Sequence, residues 1–234
     1  MTLARDDGVA GEVALRQRIG GDGQPVFELI VNGRFLMDTA ESSTESMLSQ
    51  VVLDRHPNPR QVLMGGLGLG VSLRALLADR RVEHVVVVEI EQLVVGWLRS
   101  GLIPAARPAV ADPRVEIVVA DVTHVLQEAA GGQHDAVLLD VDNGPGFLVR
   151  PENAALYEPP SLAHAARVLR PGGLLAVWSA DPSPGLAAAL EAVVGPTDRI
   201  ERTVWRDRRR VSYSLYVAAR ITSDPRRAPV SQGG

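Results

Sequence analysis

Three glycines at alternate positions, Gly66, Gly68 and Gly70, follow the short apolar run Gln61-Val62-Leu63-Met64 and constrain this chain more than any other feature. Glycine there lets the backbone turn tightly and leaves no Cβ between the chain and a ligand. An apolar pattern of helical period then starts at Leu69 and continues through Leu73, Leu76 and Leu77. A second β-rich run, Val85 to Val88, delivers Glu89 to its carboxyl end. A carboxylate at that place can accept both hydroxyls of a ribose. Strand, glycines, helix, strand and acid in this order predict a nucleoside-binding α/β sheet. The glycine pattern is G-x-G-x-G, because Val71 stands where the G-x-G-x-x-G of dinucleotide sites has its last glycine.

Composition removes several chemistries. The chain has no cysteine, which excludes disulfides, thiolate nucleophiles and cysteine-based metal centres. All 24 residues counted as Lys or Arg are arginine, so neither a Schiff-base lysine nor a P-loop lysine is present. The five histidines, His56, His84, His124, His134 and His164, contain no i, i+4 pair, and no metal site is expected. Net charge is −4, and the arginines are scattered apart from Arg206 to Arg210 and Arg226-Arg227. The first cluster reads as the polar turn of a hairpin, and no nucleic-acid partner is expected. No apolar run approaches the ~18 residues of a membrane span. Arg5, Asp6 and Asp7 fall where the apolar stretch of a signal peptide would start. The expectation is a cytoplasmic protein with no membrane partner.

Along the chain, the first dozen residues are polar and read as loose. Strands are predicted at Val13 to Leu15, Val26 to Val31 and Arg34 to Met37, with Asn32-Gly33 as a hairpin turn. A helix follows from Thr44 to Leu53, and Pro57-Asn58-Pro59 is the best boundary. Alternating strands and helices then run to 194, which predicts a parallel sheet covered on both faces. The ending differs: Ile200 to Trp205 and Val211 to Ala218 form an antiparallel hairpin. Residues 1–56 are thus expected to be a β-hairpin region with a linking helix, 57–220 a nucleoside-binding Rossmann-like domain, and 221–234 a disordered tail.

Parallel βα units closed by such a hairpin are the arrangement of class I S-adenosylmethionine-dependent transferases. The expected fold is therefore α/β, class I methyltransferase-like, with a mainly parallel seven-stranded sheet behind a small N-terminal β-hairpin region. From about residue 26 to 218 the chain also resembles the spermidine synthase (polyamine aminopropyltransferase) family. The likeness is carried by "FELIVNGRFLMDT" (27 to 39), "HPNPRQVLMGGLGLGVSLRALL", "VVVVEIE" ending at Glu91, "DPRVEIVVADV" (112 to 122), Asp140 and "LYEPPSLAHAARVLRPGGLLAVW". The resemblance implies that Gly66, Gly68 and Gly70 line the nucleoside and sulfonium side chain, that Glu89 holds the ribose hydroxyls, and that Asp121 accepts from the adenine amino group. It places Asp140 beside the reacting centre, with Asp142 and Asn143 next to it as orienting candidates. The implied cofactor is S-adenosylmethionine or its decarboxylated form.

The departures fall on the other half of the site. Leu69 replaces the aspartate of the family's GGGDGG loop, which contacts the aminopropyl amine. Thr44-Glu45 replaces the Tyr-His pair of Y-H-E-M-L, and Arg34 to Met37 hold no counterpart of the substrate-side glutamine. The family's D-x-x-D-P-x-G-P is shortened to Asp140-Val141-Asp142-Asn143-Gly144-Pro145. Glu45 and Asp38 would face the substrate if the hairpin region lids the site, and Phe147, Tyr157 and Trp178 are candidate walls. With the Leu69-position acid gone, the expected reaction is methyl transfer to a small-molecule acceptor, an amine being one candidate, with Asp140 and Asp142 as catalytic residues. Aminopropyl transfer from the decarboxylated donor is the alternative, and a non-catalytic nucleoside-binding protein is a third reading. A homodimer is compatible with all three.

Overall fold

The computed structural model describes residues 1–206 and 209–221 of the chain. Four strands come first: β1 (Thr2–Gly8), β2 (Gly11–Ile19), β3 (Pro25–Val31) and β4 (Arg34–Asp38), paired antiparallel in that order. Helix α1 (Ser43–Arg55) leads to β5 (Gln61–Gly65), α2 (Val71–Leu77), β6 (His84–Glu89), α3 (Gln92–Ser100), α4 (Arg107–Val110), β7 (Val115–Val119), α5 (Val122–Glu128) and β8 (His134–Leu139). A 3₁₀ turn (Pro151–Tyr157) precedes α6 (Pro159–Val168), β9 (Leu169–Ser179), α7 (Pro184–Val193), β10 (Thr197–Arg206) and β11 (Arg209–Ala219). The second sheet has seven strands in the order β10-β11-β9-β8-β5-β6-β7. Strands β5 to β9 run parallel, and β11 and β10 close the edge antiparallel. This is the α/β architecture expected from the alternating pattern.

The sheet sits between two apolar layers. Val62, Met64, Val85 and Val87 face the layer that also takes Val13, Leu15, Phe27 and Leu29 from the N-terminal sheet. Leu63, Val88, Val137 and Leu139 face the layer built with α5, α6 and α7. Successive side chains of a strand point to opposite faces, so a parallel strand covered twice must be apolar throughout, as Val85 to Val88 is. Among the described residues no helix is long and apolar enough to cross a membrane.

The first dozen residues correct the sequence reading. They are ordered strands, with β1 pairing β2 from Thr2↔Arg16 to Gly8↔Gly11. Leu3 and Ala4 pack on the core while Asp6 and Asp7 stay exposed. Backbone pairing, which needs no apolar side chains, makes this strand. The turn is tied down from afar: Val9 N donates to Glu91 Oε2 at 2.9 Å. The expected turn Asn32-Gly33 is present with φ of 50° and 71°. Helix α1 packs on α2, and Ser49 Oγ donates to the Ser72 carbonyl at 2.7 Å. Of the arginine turn, residues 207 and 208 lie outside the described residues, as does the expected tail from 222 onward.

Candidate functional site

The strand order reverses around β5: β6 lies on one side and β8, much later in sequence, on the other. Ligands of open α/β sheets bind at the carboxyl ends of strands at such a point. Gly66 N donates to the Val88 carbonyl and Asp140 N to the Gly65 carbonyl, both at 2.9 Å, so β5 is clasped between its neighbours at this end. Gly66 has φ of +90°, and a Cβ there would collide with the Asp140 carbonyl. At Gly68 (φ +49°) a Cβ would lie 2.6 Å from Met37 Sδ, because β4 lays Met37 over the glycine turn. Gly70 serves another purpose. It is the left-handed N-cap of α2, and its missing Cβ leaves room for Ala106 (3.1 Å) and Leu98 (3.4 Å), away from the cavity.

A cavity with about 1040 Å³ of empty space, open mouth included, lies above these ends. Gly66, Gly68, Glu89, Asp121, Asp140, Asp142 and Asn143 line it from the large sheet. Val13, Leu29, Val31, Leu36 and Met37 line it from the N-terminal sheet, which therefore forms one wall. Glu45, at the start of α1, also reaches it, whereas Asp38 ties the loop before α1 by accepting from the amides of Ala40 and Glu41 at 3.1 Å.

The acids are held in different ways. Glu89 Oε2 accepts from Leu67 N at 2.7 Å and Oε1 from Glu91 N at 2.8 Å. Burial pushes its carboxyl up, and the amides of Glu91, Leu67 and Gly68 pull it back. Asp121 caps α5, with Oδ1 accepting from Thr123 N (2.9 Å) and Oγ1 (2.6 Å). Its burial acts upward but is outweighed by the Thr123 bonds and the Arg150 charge, leaving it below the usual carboxylate range. Asp142 adopts φ of +51° and accepts from Asn153 Nδ2 at 2.8 Å; burial raises it against those bonds and the amides of Arg150 and Val149.

Asp140 has only one close side-chain donor, Ser72 Oγ at 2.9 Å, and makes no ion pair among the described residues. Burial and then the charge of Glu45 push it up to about 7, against the Ser72 bond. Asp135, at the opposite end of the same strand, takes Arg170 at 2.7 Å and the amides of Arg60 and Gln61. One strand thus carries a neutralised structural acid at its amino end and an acid facing a cavity at its carboxyl end.

Among the aromatic candidates, Trp178 lines the cavity and packs in the core against Tyr213, ring centroids 5.2 Å apart. Tyr157 is buried and donates to the Val141 carbonyl at 2.5 Å, holding the loop after β8. Phe147 is exposed, with the Arg34 guanidinium 5.9 Å over its ring. Leu69 is buried in the core. Sequence reasoning missed Met37, Ser72, Arg150 and Asn153; only Ser72, a lone hydroxyl on the apolar α2, carried a local signal. No group of three or more His, Cys, Asp or Glu stands where it could hold a metal among the described residues.

A model of the spermine/spermidine synthase domain matches residues 41–187. Putrescine N-methyltransferase 3 of Nicotiana tabacum is 31% identical over 160 residues, 64% of this chain and 40% of that protein. Polyamine aminopropyltransferase 1 of Hyperthermus butylicus is 32% identical over 184 residues, 74% of this chain and 62% of that one. The chain therefore spans less than two thirds of the length of either relative. The crystal structure of spermidine synthase from Thermotoga maritima superposes with a TM-score of 0.77 at 20% identity, covering 93% of this chain and 72% of that one, which shows the shared fold.

Proposed function

The chain belongs to the spermine/spermidine synthase family, and on that premise we propose that it transfers the aminopropyl group of a decarboxylated S-adenosylmethionine-type donor to an amine. The observation that carries this reading is the pair of carboxylates Glu45 and Asp140, which line the cavity beside the glycine turn. Ser72 Oγ lies between their segments, 2.9 Å from Asp140 Oδ2 and 3.2 Å from the Glu45 backbone carbonyl, with its single proton shared between these two acceptors. Two carboxylates lining one cavity suit an ammonium group. An amine must lose a proton to become a nucleophile, and an acid held near 7 is poised to take it. The donor supplies a carbon on a sulfonium whose thioether leaves uncharged, so the protein need only align, exclude water and accept a proton.

The residues fit such a donor. Gly66 and Gly68 line the cavity with backbone alone, in left-handed turns that also bring the Asp140 carbonyl and Met37 close. Glu89 accepts from Leu67 N at 2.7 Å on one oxygen and from Glu91 N at 2.8 Å on the other, and a carboxylate has further acceptor capacity for ribose hydroxyls. Asp121 commits Oδ1 to Thr123 and turns Oδ2 toward Arg150 and the cavity. The division of the chain at 56/57 is proposed on the same ground, one wall of the cavity coming from each side of it. Asp142, the second catalytic candidate, is assigned a positioning role, as the anchor that sets the loop after Asp140.

Methyl transfer from S-adenosylmethionine is the second reading. It is favoured by Leu69, which lies in the core and offers the donor no acid, and by the likeness to a putrescine N-methyltransferase. The comparisons support aminopropyl transfer better, which reverses the order read from the sequence. A non-catalytic role has least support, since these relatives are named as transferases. The test is incubation with each donor and a panel of mono-, di- and triamines, followed by mass spectrometry. An amine gaining an aminopropyl group is the expected product; a methylated amine would favour the second reading, and no product from either donor would refute both.

Two further outcomes follow. The free-enzyme kcat/KM should rise with pH and level off above about 7, as Asp140 gives up its proton. An inflection that survives Asp140→Asn would assign it to another group. Asp121→Asn places a competing donor where Oδ2 stands and loses charge, so affinity for adenosine ligands should fall roughly tenfold more than for inosine analogues. Equal losses, measured by calorimetry, would remove Asp121 from base recognition.

A further inference from the structure

Arg150 is the one cationic residue lining the cavity among the described residues, whereas six acids line it. Its Nη1 is buried and has no hydrogen-bond partner among the described residues. The nearest carboxylates stand too far to supply one: Asp121 Oδ2 is 3.7 Å from Nη1, and Glu152 Oε2 is 4.0 Å from Nε. A buried N–H left unmade carries its full desolvation cost, and here the guanidinium that carries it belongs to a residue lining the cavity, within reach of a ligand acceptor after a small side-chain adjustment.

The backbone beneath Arg150 is held in place. Asn153 Nδ2 donates to Asp142 Oδ2 at 2.8 Å, and the nearby amides of Arg150 and Val149 favour the charged form of the same carboxylate. The loop thereby carries the guanidinium to the end of β7, beside Asp121. Asp121 there presents an acceptor, and Arg150 an adjacent donor. Adenine presents the complement, an amino donor flanked on both sides by ring nitrogens that accept.

We propose that Arg150 is a specificity-determining residue of the donor site, donating to the purine ring nitrogen next to the amino group that Asp121 accepts. The proposal rests on reading the cavity as an adenosine-type donor site. The planar guanidinium fork fixes the direction of its N–H bonds, which a lysine in its place would not.

The test is calorimetric binding of 5′-methylthioadenosine and its 1-deaza and 7-deaza analogues, each lacking one of the two flanking nitrogens. The wild-type chain should bind at least one analogue roughly ten- to a hundredfold more weakly than the parent. Arg150→Met should weaken the parent by that same factor and leave the affected analogue unchanged, so that the two become equal. Arg150→Lys should behave like Arg150→Met, and it decides the matter if Arg150→Met does not fold. Equal binding of all three ligands by the wild type would overturn the proposal, as would an equal loss for all three in the variants. Failure of the wild type to bind 5′-methylthioadenosine at all would overturn the donor-site reading itself, and this inference with it.

Discussion

Asp140→Asn is expected to lower turnover by about 10²–10⁴ while leaving nucleoside binding near normal and raising resistance to unfolding at alkaline pH. The kinetic part follows from position: Asp140 ends the apolar run Ala136 to Leu139 and meets the cavity beside Glu45. Asparagine keeps the size and can still accept from Ser72 Oγ, but it cannot take a proton. The stability part follows from the displaced titration. The folded carboxyl is held near 7 against an ordinary value of 3.8, chiefly by burial and then by Glu45. Between those values the folded chain keeps a proton that the unfolded chain gives up, so stability falls as pH rises through this window. Removing the group removes that loss. The variant should be more stable than the wild type at pH 8 by roughly 2–4 kcal/mol, and equal to it near pH 4. Denaturant unfolding at the two pH values, beside steady-state kinetics with the acceptor found in the amine panel, reads both effects. Unchanged turnover would make Asp140 structural. Lost turnover with lost stability at pH 8 would make it a packing residue. A loss confined to KM would make it an orienting group rather than a base.

What was legible in the sequence is what one βαβ unit decides locally. Val62 to Met64, Gly66 and Gly68, Leu73 and Leu76, and Val85 to Glu89 carry their periods and their turn in consecutive residues, and the structure has them where the pattern puts them. Gly70 shared the pattern, but the reason for it lies in Ala106 and Leu98, a contact no spacing announces. Strand β1 was invisible because its content is polar and its partner supplies only backbone pairing. Arg150 and Asn153 were invisible for a different reason. Their approach to Asp121 and Asp142 depends on a loop that turns through a non-glycine residue at φ of +51°, and it takes the folded backbone to bring them together. Glu45 was read as a departure from a family pattern, and the packing of α1 on α2 turns that departure into a feature of the cavity.

Glu89→Ala should weaken donor binding by about ten- to a hundredfold and lower the unfolding free energy by roughly 2–4 kcal/mol. Both effects have one origin. Glu89 is 8% exposed, and its two carboxylate oxygens take the amides of Leu67, within the glycine turn, and Glu91, just beyond β6. Alanine leaves two buried N–H groups without acceptors, each costing about 1–3 kcal/mol; relief of the buried charge returns part of that. The same removal takes away the acceptor for two ribose hydroxyls and frees the turn between Gly66 and Gly68 that would cradle the nucleoside. Glu89→Gln separates the causes. Its carbonyl oxygen can satisfy one amide, while its NH₂ faces the other as a second donor, so about half of the lost stability should return. Binding should stay weak, because an amide offers one acceptor to two hydroxyls. Calorimetry with 5′-methylthioadenosine, run well below the unfolding midpoint of each variant, reads the binding arm without interference from the stability arm. A folded Glu89→Ala with an unchanged dissociation constant would remove the ribose from Glu89 and leave it as the clasp of the glycine turn alone.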